Sequence, residues 1–192
     1  GTLIAPNTAL ECLDLSNTGL GLAIGTEGEG GHILLRPLCE MNDCPVREIN
    51  LTNIQLNDKA GGKLLSALSV GLGKKNQGYE KIESLILANN DLGKQTTAAL
   101  KSLLWSERAP CVLRSLDLRG NVGLDGYETA LAVKRNESLT ALDIRDIPSA
   151  NKEDIYTFLG SFLLQEECTC RLGFLSCDAF QATAGLTELV LK

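Results

Sequence analysis

The sequence predicts an α/β fold in which repeated units of strand, turn and helix stack into a solenoid. Three observations lead to this prediction: an apolar pattern that recurs along the chain, an inward-facing residue at a fixed place after each copy, and amphipathic segments between copies. The chain has 192 residues, of which 44% are hydrophobic and only 4% aromatic. The core of the predicted fold must therefore be built from aliphatic side chains.

The recurring pattern places apolar residues at relative positions 1, 4 and 6 of each unit, and positions are counted from the first of these residues throughout. Alternation at positions 4 and 6 predicts a short strand with one buried face. Five strong copies are Leu10/Leu13/Leu15, Val46/Ile49/Leu51, Ile82/Leu85/Leu87, Leu113/Leu116/Leu118 and Leu139/Leu142/Ile144. A weaker sixth copy runs through Leu172 and Phe174, and a seventh is Leu186/Leu189/Leu191.

Position 9 of each unit is predicted to face inward after the chain leaves the strand. Its occupants are Thr18, Ile54, Asn90, Asn121, Ile147 and Cys177. An asparagine side chain at this place can satisfy the backbone groups that the strand leaves open.

The segments between copies have helical periodicity. One face of Lys59 to Leu68, of Thr96 to Leu104 and of Asp154 to Leu163 is apolar. Asp125 and Glu128 have the spacing of a capping box and predict a further helix start. Each unit is therefore expected to contain a strand, a turn and a helix.

The copies IESLILANNDL and LRSLDLRGNVGL resemble the leucine-rich-repeat consensus. Spacings of 36, 36, 31, 26 and 30 residues between position-4 residues are similar to those of the ribonuclease-inhibitor-like subfamily. The resemblance implies a horseshoe with parallel strands on the concave face, helices on the convex face and a protein partner. We expect residues 1–192 to form a single domain, a fragment of a larger protein, with about seven strand-bearing units.

Three departures from the regular repeat are expected. The last unit should be irregular or truncated, because only 17 residues separate Leu172 from Leu189. The Gly-rich segments Gly25 to Gly31 and Gly71 to Gly78 are predicted to be loops at the rim of the horseshoe.

Composition argues against several classes of function. A formal net charge of −6 without a basic cluster disfavours nucleic acid and anionic membranes as partners. The N-terminus lacks the pattern of a secretion signal, and seven cysteines without framework-like spacing predict reduced thiols in a cytoplasmic protein. We therefore expect a protein partner rather than a small-molecule substrate.

The residues do not assemble a known type of catalytic or metal site. The single histidine, His32, is interpreted as a loop residue because no partner for catalysis is placed beside it. Cys168, Cys170 and Cys177 could contribute to a zinc site, but core packing is the favoured interpretation. The prediction is a protein without enzymatic activity, cofactor or metal.

The outward-facing side chains of the predicted strands form the candidate binding site. One interpretation is a polar face whose charges pair with each other; the favoured one is a recognition patch beside a small apolar area at Ile86 and Ala88. The position-7 column of this face is Ser16, Thr52, Ala88, Arg119 and Arg145. The predicted partner-binding residues are Asp14, Asn50, Ile86, Arg114, Asp117, Arg119, Asp143, Arg145 and Asp146.

Three other functions remain open at this point. The family resemblance also admits a regulator of a small GTPase, of the GTPase-activating type. A second alternative is a structural component of a cytoskeletal or flagellar assembly, and a third is the sensor domain of an immune receptor.

Overall fold

A computed structural model describes residues 9–21, 45–71, 82–105, 112–134, 136–148, 174–176 and 189–190. These residues form one seven-stranded sheet and three helices. The strands are β1 (Cys12–Asp14), β2 (Glu48–Asn50), β3 (Ser84–Ile86), β4 (Ser115–Asp117), β5 (Ala141–Asp143), β6 (Phe174–Ser176) and β7 (Leu189–Val190). The helices are α1 (Asp58–Gly71), α2 (Lys94–Leu104) and α3 (Gly126–Val133).

The order of strands in the sheet is their order along the chain, and β1 to β6 are parallel. The position-4 residues of the first five units lie in one line across it: Leu13, Ile49, Leu85, Leu116 and Leu142. Helices α1 and α2 occupy the crossovers after β2 and β3, as parallel pairing requires a long connection. The predicted α/β class and the predicted register of five units are confirmed.

The sixth and seventh units differ from the prediction. Leu175, rather than Leu172, is aligned with Leu142, so Cys177 does not occupy position 9. Leu172 and Phe174 are two residues apart, and Leu175 directly follows Phe174. Apolar residues therefore occur on both faces of a strand here, and their alternation does not select one register. The last strand, β7, is antiparallel to β6, and the connection 177–188 is shorter than the parallel crossovers earlier in the chain.

Side chains at positions 4 and 6 pack with the inner faces of the helices in one hydrophobic core. Ile49, Leu51, Leu85 and Leu87 are at most 1% exposed. The first unit lies at the margin of the core, since Leu10, Leu13 and Leu15 are only partly buried against it. The helices therefore cover one face of the sheet and leave positions 3 and 5 on the other.

Two of the three described helices begin with a side-chain cap, and α2 does not. The side chain of Asn57 accepts a hydrogen bond from the Ala60 amide at 2.9 Å at the start of α1. Asp125 accepts one from the Glu128 amide at 2.9 Å, which confirms the predicted start of α3. The residue that directly precedes α2 is Gly93, which has no side chain that could cap the helix.

The missing cap of α2 comes from the neighbouring helix. The Asp58 carboxylate at the start of α1 accepts hydrogen bonds from the amides of Gly93 (2.8 Å), Thr96 (2.8 Å) and Gln95 (3.0 Å). Partial burial opposes ionisation of this carboxyl group, but the hydrogen bonds prevail and lower its pKa. A single charged side chain thus joins two successive units.

The asparagines at position 9 make the contacts expected of them. Asn90 Oδ1 accepts from the amides of Ile54 (3.1 Å) and Leu56 (3.0 Å) in the preceding turn. Its Nδ2 donates to carbonyl groups of the preceding and its own unit. Asn121 repeats the arrangement toward Asn90 and Leu92. The prediction that these asparagines satisfy backbone groups is confirmed.

Position 8 contains a regularity that the sequence analysis missed. In every one of the first five units this residue has a positive φ, between 52° and 71°. The five occupants are Asn17, Asn53, Asn89, Gly120 and Asp146. These residue types tolerate the left-handed conformation best, so their shared position was a readable signal for the turn after each strand.

Several predictions fall outside the described residues. They are the helix from Asp154 to Leu163, the loop at Gly25 to Gly31, His32 and the cysteine group at 168–177. Of the second predicted loop, Gly71 is the last residue of α1, and 72–81 are outside the described ranges.

Candidate interaction surface

The position-5 residues form a continuous row on the sheet face opposite the helices. Asp14, Asn50, Ile86, Asp117 and Asp143 are aligned across β1 to β5. Each lies next to a position-4 residue that is in or against the core, and successive strand residues point to opposite faces. The predicted row is therefore present as one surface, which we call the sheet face.

Four residues of this row have a structural task. The side chains of Asp14, Asn50, Asp117 and Asp143 each accept a hydrogen bond from the backbone amide two residues later. The distances range from 2.8 to 3.1 Å. Such turns need a side-chain oxygen at this place, and that need accounts for the Asp or Asn at four of five positions.

The charges of β4 and β5 come together as expected, and they pair within each strand. Arg145 Nη2 lies 2.6 Å from Asp143 Oδ2, and Arg119 Nε lies 3.3 Å from Asp117 Oδ2. Asp143, predicted to be outward-facing, is only 9% exposed beneath its arginine. Charges that pair with each other, as in the alternative interpretation of this face, are thus present on these two strands.

Burial has a measurable consequence for one of these carboxyl groups. Desolvation raises the pKa of Asp117, and the charge of the neighbouring Asp143 acts in the same direction. The amide and guanidinium of Arg119 and the charge of Arg145 oppose the rise without cancelling it.

Ile86 is the exception in the row. It has no oxygen for the amide of Ala88, and it stands partly exposed between Asn50 and Asp117. The predicted apolar area is smaller than expected, because Ala88 is fully buried at 0% exposure. The apolar part of the sheet face in the third unit is therefore Ile86 alone.

Two predicted residues lie apart from the charge pairs. Arg114 occupies position 2, at the entrance of β4, where its Nε is 3.8 Å from Glu83 Oε2. Glu83 also pairs with Arg47 at 2.7 Å, so a separate line of alternating charge crosses the strand entrances. Asp146 occupies the left-handed position 8 with φ 56°, a conformation that Asp tolerates better than most residues.

No protein-family model matches this chain, and no curated protein matches it. Within the ranges described above, no group of three His, Cys, Asp or Glu residues is placed to hold a metal ion. The helices of those ranges are too short or too polar to cross a membrane.

Proposed function

We propose that the chain is a leucine-rich-repeat solenoid without catalytic activity, and that it binds a partner protein through the sheet face centred on Ile86. The recurrence of one register across five parallel strands supports the solenoid. So do the left-handed position 8 and the bridging asparagines at position 9.

The identity of residue 86 is the observation that carries the proposal. An Asp or Asn at this place would close the turn, as it does in the other four units. Isoleucine gives up that hydrogen bond and leaves an apolar side chain partly in water. Local departures of this kind are expected where function rather than stability selects the residue.

The surroundings of Ile86 favour binding. Its neighbours in the row are polar and hydrogen-bonded to their own backbone, so they need little ordering when a partner arrives. An apolar side chain enclosed by polar groups that exclude water is the usual arrangement of an energetic centre in an interface.

The test is an Ile86→Asn variant. Asparagine can accept the Ala88 amide, a bond worth about 0.5–1.5 kcal/mol, which offsets the loss of about 1 kcal/mol from removing a half-buried isoleucine. We expect the unfolding free energy to stay within about 1 kcal/mol of wild type. Reversal of Asp117 or Asp143 is less informative, because those carboxylates close turns.

Binding is measured by affinity capture from an extract of cells that contain the protein, with the captured partner then titrated. Ile86→Asn should weaken binding about thirtyfold, as removal of a central interface residue costs about 2 kcal/mol. Lys63→Glu, on the exposed side of α1, is the matched control and should bind like wild type. Undiminished binding by folded Ile86→Asn would refute the proposal.

A further inference from the structure

The β1 and β2 end of the sheet face is acidic. Asp14 is exposed, and hydrogen bonds from the amide and hydroxyl of Ser16 lower its pKa, so it is ionised at neutral pH. Glu48 lies on the adjacent strand at position 3, two residues before the position-5 row. The Cys12 thiol is 3.5 Å from its carboxylate. No Lys or Arg occupies position 3, 5 or 7 of these two strands. At these outward positions of the described strands, the formal charges that a partner meets at this end are therefore negative.

The β4 and β5 end presents guanidinium groups. Side-chain exposure is 42% for Arg119 against 17% for its partner Asp117. It is 33% for Arg145 against 12% for Asp143. Each ion pair is neutral as a whole, but its positive member lies nearer the solvent. An approaching partner meets the guanidinium first.

Strand β3 separates the two ends and carries no charge at its outward positions. Its outward strand positions hold Ser84 and Ile86, and Ala88 at position 7 is buried. Adjacent strands are about 4.8 Å apart, so the centres of the acidic and guanidinium ends are about 14 Å apart with Ile86 between them. The sheet face thus has a negative, an apolar and a positive zone in chain order.

We propose that the partner contributes a segment that runs across the strands with a basic residue over β1 and β2, an apolar residue over Ile86 and an acidic residue over Arg119 and Arg145. This inference rests on the proposed binding function and adds an order and a direction. A span of about 14 Å corresponds to about four residues of extended chain or about nine of helix. Complementary charge at both ends selects one orientation of the segment and disfavours the reverse.

A random 12-residue peptide library displayed on phage provides the probe, selected on the immobilised full chain. Bound phage are challenged with free wild-type protein or with the free Ile86→Asn variant. Peptides that wild type displaces and the variant does not are sequenced and synthesised. We expect enrichment of basic, apolar and acidic residues in one order along the peptide. Lys63→Glu serves again as a surface control.

A charge-swap cycle tests the acidic end. Glu48→Lys should weaken the selected peptides about fivefold, the upper range for a surface ion pair, and a basic-to-Glu change in the peptide should restore affinity on that variant. Glu48 suits this test because its carboxylate contacts the Cys12 thiol and closes no turn of the row. An Arg145→Gln variant tests the other end with acidic-to-Gln peptides.

The outcomes separate the two proposals. If the library yields no peptide that Ile86→Asn weakens, the proposed binding face is refuted and this inference with it. If Ile86→Asn weakens the peptides but their charges occur in random or reversed order, the binding face stands and the inference is overturned. Failure of Glu48→Lys to weaken peptides that carry the basic residue overturns it as well.

Discussion

Replacing Asp58 with alanine should remove the cap of a helix in the next unit. The substitution leaves three amides without their carboxylate, at Gly93, Gln95 and Thr96. Gln95 is exposed and its amide can bind water, whereas Gly93 and Thr96 are buried. Hydrogen bonds to a charged group are worth about 1.5–3 kcal/mol, so losing two buried ones should cost about 3 kcal/mol.

Asp125→Ala is the matched control, because it removes a cap within one helix. Asp125 accepts the amide of Glu128, which is an exposed residue, so loss of this cap should cost about 1 kcal/mol. Urea unfolding followed by circular dichroism gives both free energies. The only tryptophan, Trp105, directly follows α2, and its fluorescence reports that helix locally. If Asp58→Ala costs no more than Asp125→Ala, the contribution assigned to the inter-unit cap is wrong.

The cap formed by Asp58 should make the unfolding free energy depend on pH. Because the pKa of Asp58 is lowered in the folded protein, its stabilisation is present above the unfolded value of about 3.9 and is lost as pH falls through the folded value. Asp58→Asn removes the charge but keeps an acceptor. The stability difference between wild type and Asp58→Asn should therefore be constant above about pH 5 and shrink below about pH 4. A difference that stays constant to pH 2 would contradict the assignment.

Three further substitutions test the turns and the packing of the units. Asn90→Ala should cost about 3 kcal/mol, because it leaves buried amides unsatisfied, and hydrogen exchange should speed up first at Ile54 and Leu56. Gly120→Ala should cost about 1–2 kcal/mol in urea unfolding, since φ 71° is unfavourable for alanine. Gly61→Ala should destabilise by about 1–2 kcal/mol despite the higher helix propensity of alanine, because its Cβ would lie 2.5 Å from Leu92 Cδ2 and 2.7 Å from Thr96 Oγ1. A gain in stability on Gly61→Ala would contradict the close packing of α1 on α2.

Features set by local periodicity could be predicted from the sequence. The alternation of buried residues defined five strands and their register, and the asparagines at position 9 were assigned the correct task. The turn at position 8 could also have been predicted, because Asn, Gly or Asp recurs there. The sixth unit could not be placed, because its apolar run fits more than one register.

One contact between units, the cap of α2, could not be predicted from the sequence. The cap of α2 joins Asp58 to residues 35–38 positions later. No other described helix uses such a cap, since α1 and α3 begin at Asn57 and Asp125. A contact that occurs once has no period to reveal it. Only the packing of α1 on α2 brings these groups together.

The polar row illustrates why stability has to be accounted for before function is inferred. Asp and Asn recur at position 5 because a side-chain oxygen there closes the turn, so their recurrence alone carries little information about a partner. Position 7 differs, because its contribution to the turn is a backbone amide and its side chain varies from serine to arginine. The turn therefore does not explain why residues 119 and 145 are arginine. Together with Ile86, which lacks the side-chain oxygen that the turn favours, they are residues of the sheet face that the turn does not account for, although both arginines pair with the carboxylates that close it.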